Sequence, residues 1–252
     1  MTTQARSESR APQPAAPGNV LYLLILVVIV QFSYPMTAGN SPVWLLAYQA
    51  LYLTLMIAGI LVARESPHYM RVLIYLGLIW IVTGAIYAFN QEALWAQLGG
   101  YGAIAAFQIM VVIVLVTYMF RARIVTRNVL YAASTIYLLL GAIFVPIFGI
   151  IESLTFAWSG GAHAFADGVV AVGELFTWQN FVYYSYVNLT TLGYGDILPQ
   201  TMWARSAATL EACIGVLYTA IIISRLVGLY ASQEIAHDME EFVEEQGRFE
   251  RS

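Results

Sequence analysis

Apolar residues in this chain come in long, nearly unbroken stretches, without the alternation of a half-buried strand or the spaced stripe of a soluble amphipathic helix. Six stretches stand out: Val20–Met36, Val43–Val62, Val72–Phe89, Tyr101–Phe120, Leu130–Ile151 and Trp203–Tyr230. A helix needs ~20 mostly apolar residues to cross ~30 Å of hydrocarbon, so each is expected to span a bilayer. The fold class that follows is an all-α integral membrane protein with six transmembrane helices. The first stretch is the shortest, and with Arg6 and Arg10 ahead of it has the outline of a signal peptide, but no clear small-residue cleavage site follows. Polar connections separate the stretches. Those at Thr37–Pro42 and Asn90–Gly100 are short, whereas Glu152–Met202 runs far longer.

Composition agrees with the pattern. The chain of 252 residues is 60% hydrophobic and only 10% charged, which removes it from the soluble globular class. All 11 basic residues are arginines. Those before the first stretch, after the second and fourth, and at or beyond the end of the sixth fall on one side of a six-span path, and Arg205 is the exception. Because cytoplasmic loops retain positive charge, both termini are read as cytoplasmic, in a multi-pass protein of the cell's inner or plasma membrane. The single Cys213 rules out an intrachain disulfide. The net charge of −4, with acids clustered at the C-terminus, argues against nucleic acid as a partner.

The ends are expected to differ from the middle. Residues 1–19, rich in Ala, Pro, Gln and Ser, read as a disordered cytoplasmic tail. In the acidic cytoplasmic tail 232–252, Ile235, Met239, Phe242 and Val243 recur at helical spacing, so a helix continuing from the last span is expected. Packing on a sister subunit is favoured for that stripe over docking another partner.

The long connection contains a second kind of signal. Trp178–Thr190 is too short to span but sufficient for a three-turn helix, which Thr177 is placed to cap. It runs directly into Thr191-Leu192-Gly193-Tyr194-Gly195-Asp196, where two glycines break regular helix. Irregular backbone at membrane depth is tolerated only where it lines water or is buried in protein, so a re-entrant loop between the fifth and sixth spans is expected.

Thr190-Thr191-Leu192-Gly193-Tyr194-Gly195-Asp196 resembles the selectivity filter of potassium channels, with Leu192 where the family usually carries valine. Pro199, Thr201, Trp203 and Arg205 are similar to residues that follow the filter in small bacterial members, and Gly215 falls where the family often has a hinge. Close resemblance covers about Phe181–Tyr230. It points to the prokaryotic six-span type with a single pore loop, of the ion channel 2 family, and implies a non-enzymatic subunit for passive potassium transport. Stacked rings of carbonyls replace the ion's water. By the family's pattern, Thr191, Leu192, Gly193, Tyr194 and Gly195 form that filter, and potassium is coordinated by the carbonyls of Thr191, Leu192, Gly193 and Tyr194 and the Thr191 hydroxyl. Filter support falls to Thr190, Asp196, Tyr183 and Tyr184, with Tyr194 completing an aromatic cuff; ordinary interfacial tyrosines are the competing reading. One chain cannot close a ring, so a homotetramer in lipid is implied, with potassium the only cofactor. Residues 20–127 then form a four-span membrane domain and 128–231 a pore domain.

The remaining polar residues refine this picture. Gly100-Tyr101-Gly102 repeats the three-letter core but lacks the threonines and the aspartate, and reads as a loop or helix start. Glu211 falls within the sixth span, where an ionisable group is functional or paired, and Asn188 is the candidate partner. Glu152, Asp167 and Glu174 read as solvated acids near the outer mouth, Arg225 as snorkelling to lipid headgroups in preference to a gate contact, and Pro146 as a kink. No charged residue lies between Glu92 and Arg121, which excludes an arginine voltage sensor in the fourth span. No regulatory ligand-binding domain is evident after the sixth. Gly193-Tyr194-Gly195-Asp196 also fits the Gly-x-Gly-Asp word of intramembrane aspartyl proteases, but neither Asp167 nor Asp238 lies in a span to complete the pair. His68, His163 and His237 are too scattered to suggest a metal site.

Overall fold

The computed structural model describes residues 20–37, 42–122, 124–167 and 176–249, so the expected N-terminal tail and Glu174 lie outside it. Seven α-helices follow in order: α1 (Val20–Phe32), α2 (Pro42–Val62), α3 (Pro67–Phe89), α4 (Leu94–Arg121), α5 (Arg127–Ser159), α6 (Trp178–Leu189) and α7 (Met202–Phe249). Two short strands, β1 (Phe165–Asp167) and β2 (Ile197–Pro199), pair antiparallel with Phe165 opposite Pro199. They tie the chain ahead of α6 to the chain that follows Asp196. Among the described residues, the rest of the regular structure is helical.

Among the described residues, four helices are long and apolar enough to cross a membrane: α3, α4, α5 and the Met202–Ser232 part of α7. At 13 residues, α1 rises about 20 Å, less than a hydrocarbon core. It ends at Phe32, before the expected Met36, and Pro35 lies in the 3-10 turn Tyr34–Thr37 that follows. The apolar Leu46–Val62 part of α2 is likewise short. In the opposite sense, α5 runs to Ser159, two turns past the expected boundary, and Gly160 closes it in the left-handed conformation at φ 75°. Glu152 is therefore a helical residue and not part of a loop. Tyr101 lies within α4, so the second Gly-Tyr-Gly is helical.

Helix α5 is the central post, packed against α1, α4, α6 and α7. One apolar core runs from α1 through α5 and takes in Ile222 of α7. A second, smaller core surrounds α6 and is built of rings: Phe148 meets Tyr184 at 5.0 Å and Phe165 at 5.6 Å, and Phe165 meets Phe181 at 5.2 Å. Edge-to-face geometry lets these quadrupoles attract while burying large areas. The aromatic core fixes the position of α6, and α6 in turn holds the segment of interest.

Candidate functional site

Helix α6 starts where a side chain satisfies its exposed backbone. Asn180 Oδ1 accepts from the Thr177 amide at 3.1 Å and from the Thr177 hydroxyl at 2.7 Å, so the cap comes from Asn180 reaching back. At its other end, carbonyls left without helical partners receive the amides of the next segment. The Thr191 amide donates to the Asn188 carbonyl at 2.9 Å, and the Leu192 amide to the Val187 carbonyl at 2.9 Å. Thr190 turns its hydroxyl back to the Tyr186 carbonyl at 2.6 Å. Thus the helix end itself holds the irregular stretch against it.

Along that stretch the backbone alternates. Thr191, Gly193 and Gly195 have φ of 59°, 57° and 77°, while the intervening Leu192 and Tyr194 do not have positive φ. A Cβ built on Gly193 or Gly195 meets nothing within 4 Å, so the requirement for glycine is conformational and not spatial. Thr191 is the one described non-glycine residue with positive φ, an unusual state for a β-branched side chain. Sequence reasoning explained the two glycines and missed this strain, which residue type does not betray. Leu192 and Tyr194 are 59% and 67% exposed on the single chain.

Two contacts brace the end of the segment at Asp196. Tyr183 donates its hydroxyl to Asp196 Oδ2 at 2.5 Å, and the Ile197 amide donates to Asp196 Oδ1 at 3.0 Å. The Tyr183 bond, helped by the Ile197 amide, holds the Asp196 carboxyl below the usual carboxylate range. Tyr184 turns the other way, into the aromatic core beside Phe148. Tyr183 and Tyr184, adjacent in sequence, therefore do different work.

Glu211 of α7 is fully buried and faces α6. Asn188 Nδ2 donates to its Oε2 at 2.8 Å, as expected, and the Ser185 hydroxyl lies 2.5 Å from its Oε1. Ser185 also reaches the Gly141 carbonyl at 2.7 Å, so one buried cluster joins α5, α6 and α7. Ser185 carried no signal in the sequence beyond being a polar residue in an aromatic helix. Gly215 sits one turn below Glu211, where a Cβ would fall 2.4 Å from the Leu189 carbonyl oxygen. The glycine lets α7 touch the end of α6.

Two charged residues differ from expectation. Glu152 is not solvated: it is 1% exposed, and its carboxylate takes the His163 ring at 2.6 Å and the Ala164 amide at 2.8 Å. It pins the loop ahead of β1 to the top of α5. Arg225 turns to backbone carbonyls of α4. Its Nη2 donates to the carbonyls of Met119, Phe120 and Ala122, at 3.1, 3.0 and 3.3 Å, and its guanidinium lies 4.6 Å from the Phe120 ring centre. It caps the C-terminus of α4, where a helix presents unpaired carbonyls and partial negative charge.

Residues 124–231 match the model of a family described as an ion channel. No curated protein and no solved structure gives a significant match. The matched stretch contains α5, both strands, α6, the Thr191–Gly195 segment and the apolar part of α7. Over residues 124–231, the chain is similar to that ion-channel family.

Proposed function

We propose that the chain is one subunit of a homotetrameric, potassium-selective channel that carries potassium passively across the plasma membrane. The observation that carries this reading is the alternation of positive φ at Thr191, Gly193 and Gly195. A chain whose residues alternate in handedness can turn successive carbonyls to one side, as stacked ion sites require. Carbonyls of Thr191, Leu192, Gly193 and Tyr194, with the Thr191 hydroxyl, are the assigned ligands. Thr190, Asp196, Tyr183 and Tyr184 are the assigned support. The exposure of Leu192 and Tyr194 on one chain favours assembly, because an apolar and an aromatic side chain at that position gain from a neighbouring copy.

In this reading α5, the α6 re-entrant loop and α7 form one quarter of the pore, both termini are cytoplasmic, and membrane lipids surround the assembly. Potassium in the filter is the only cofactor required. Flux from liposomes containing the purified chain tests the reading, with sodium and barium as controls. Expected are a tetrameric mass, barium-sensitive flux and a reversal potential that follows the potassium gradient. A reversal potential that follows sodium would sink the selectivity claim.

A further inference from the structure

Between α1 to α5 and the N-terminal half of α6 lies a cavity of about 130 Å³ with no charged residue in its lining. Its walls include the rings of Tyr52, Trp80, Tyr101 and Trp178. A space of this size exceeds what one water needs and approaches the ~150 Å³ of an engineered cavity that accepts benzene.

The lining holds three glutamines and four tyrosines, among which Gln108 and Tyr52 form a bonded pair. Gln108 is 3% exposed; its Nε2 donates to Tyr52 Oη at 2.6 Å, and its Oε1 has no partner. Tyr52 Oη also accepts from Gln31 Nε2 at 3.4 Å. Both bonds use the phenol oxygen as acceptor, so the Tyr52 proton is left to donate elsewhere. An unfilled acceptor and an available donor therefore stand side by side. A group that both gives and takes a hydrogen bond satisfies the two, as a water or a hydroxyl does, and the aromatic walls favour a hydroxyl carried on a ring. Pro146, which has no N–H for the Ala142 carbonyl four residues back, lines the same cavity together with Ala142.

We infer that this cavity is a binding site for a neutral, ring-sized molecule carrying one hydroxyl group, of which a phenol is the simplest member. The ring meets the aromatic walls edge to face, and the hydroxyl donates to Gln108 Oε1 while accepting from Tyr52. Trp178 and Val182 of α6 line the same space, so an occupant touches the helix that holds Thr191–Gly195. Binding can be measured whether or not the chain conducts potassium.

The test uses the full chain in lipid nanodiscs and fluorine NMR of 4-fluorophenol, with fluorobenzene and empty nanodiscs as controls. Expected is saturable line broadening by 4-fluorophenol, displaced by phenol. Fluorobenzene should bind about fivefold to tenfold more weakly, the effect of about one net hydrogen bond. Tyr52→Phe keeps the ring and should weaken 4-fluorophenol by a similar factor. Gln108→Leu is the second variant, should the first fail to fold. The inference is overturned by non-saturable partitioning, by equal affinity for fluorobenzene, or by binding that neither variant alters.

Discussion

At Gly193 a substitution acts through the backbone, not through a clash. A Cβ there meets open space, yet φ of 57° costs an L-residue about 1–2 kcal/mol, enough to favour a different backbone turn in an already irregular segment. Gly193→Ala is expected to abolish potassium-selective flux while leaving the assembly intact; selective flux like that of the wild type would place the filter elsewhere. Asp196 adds a pH dependence. Its carboxyl is held below the usual range by the Tyr183 hydroxyl, so the contribution of this brace is complete above the ordinary carboxylate pKa, near ~4. It fades as pH falls through the depressed value. Acidifying the outer bath from neutral should therefore leave flux steady until below about pH 4 as far as this group is concerned. Asp196→Asn should show the impaired flux at neutral pH; a variant with unimpaired flux would remove the bracing role.

Among the elements, the junction of α6 with α7 has the least room. Gly215→Ala drives a Cβ to 2.4 Å from the Leu189 carbonyl oxygen, a backbone atom that cannot swing away. The helices must separate, at a cost of about 1–3 kcal/mol. A lower melting temperature and altered flux are expected, whereas an unchanged melting temperature would show that the junction is looser than drawn. Gly215 was expected as a hinge, and close approach gives the same residue a packing reason. At the other end of α7, Arg225 closes the end of α4 with three carbonyl contacts. Replacing it by Gln removes a charge-assisted cap worth about 1–2 kcal/mol. Trypsin should then cut faster at Arg121 or Arg127, and an unaltered cleavage rate would count against the cap.

For the whole molecule, the expected boundary at 127/128 between a four-span domain and a pore domain does not coincide with a break in the core. Val129, Ala132, Ile136 and Leu139 of α5 share one buried cluster with residues of α1 to α4. Expressed without 20–127, the segment 128–231 would turn that face of α5 outward. We expect it to lose monodispersity in detergent relative to the full chain, as judged by gel filtration; equal behaviour would mean that the core is divisible. Through that core α5 packs against α1 and α4 on one side and α6 on the other.

Much was legible from residues in order. Unbroken apolar stretches require a lipid environment, and the two glycines of Thr191–Gly195 require unusual backbone; both are local constraints that spacing and residue type express directly. The helix before that segment follows from the same kind of argument, and so does the need of Glu211 for a partner, but that Asn188 and Ser185 meet it depends on how α6 packs on α7. Other features depend on which helices meet. Nothing near Glu152 in sequence predicts that His163 folds back onto it, and nothing near Arg225 predicts the end of α4, 103 to 106 residues away. The cavity beside Gln108 belongs with these. Each arises from packing between distant segments, where the energy depends on contact geometry that neither hydropathy nor spacing encodes.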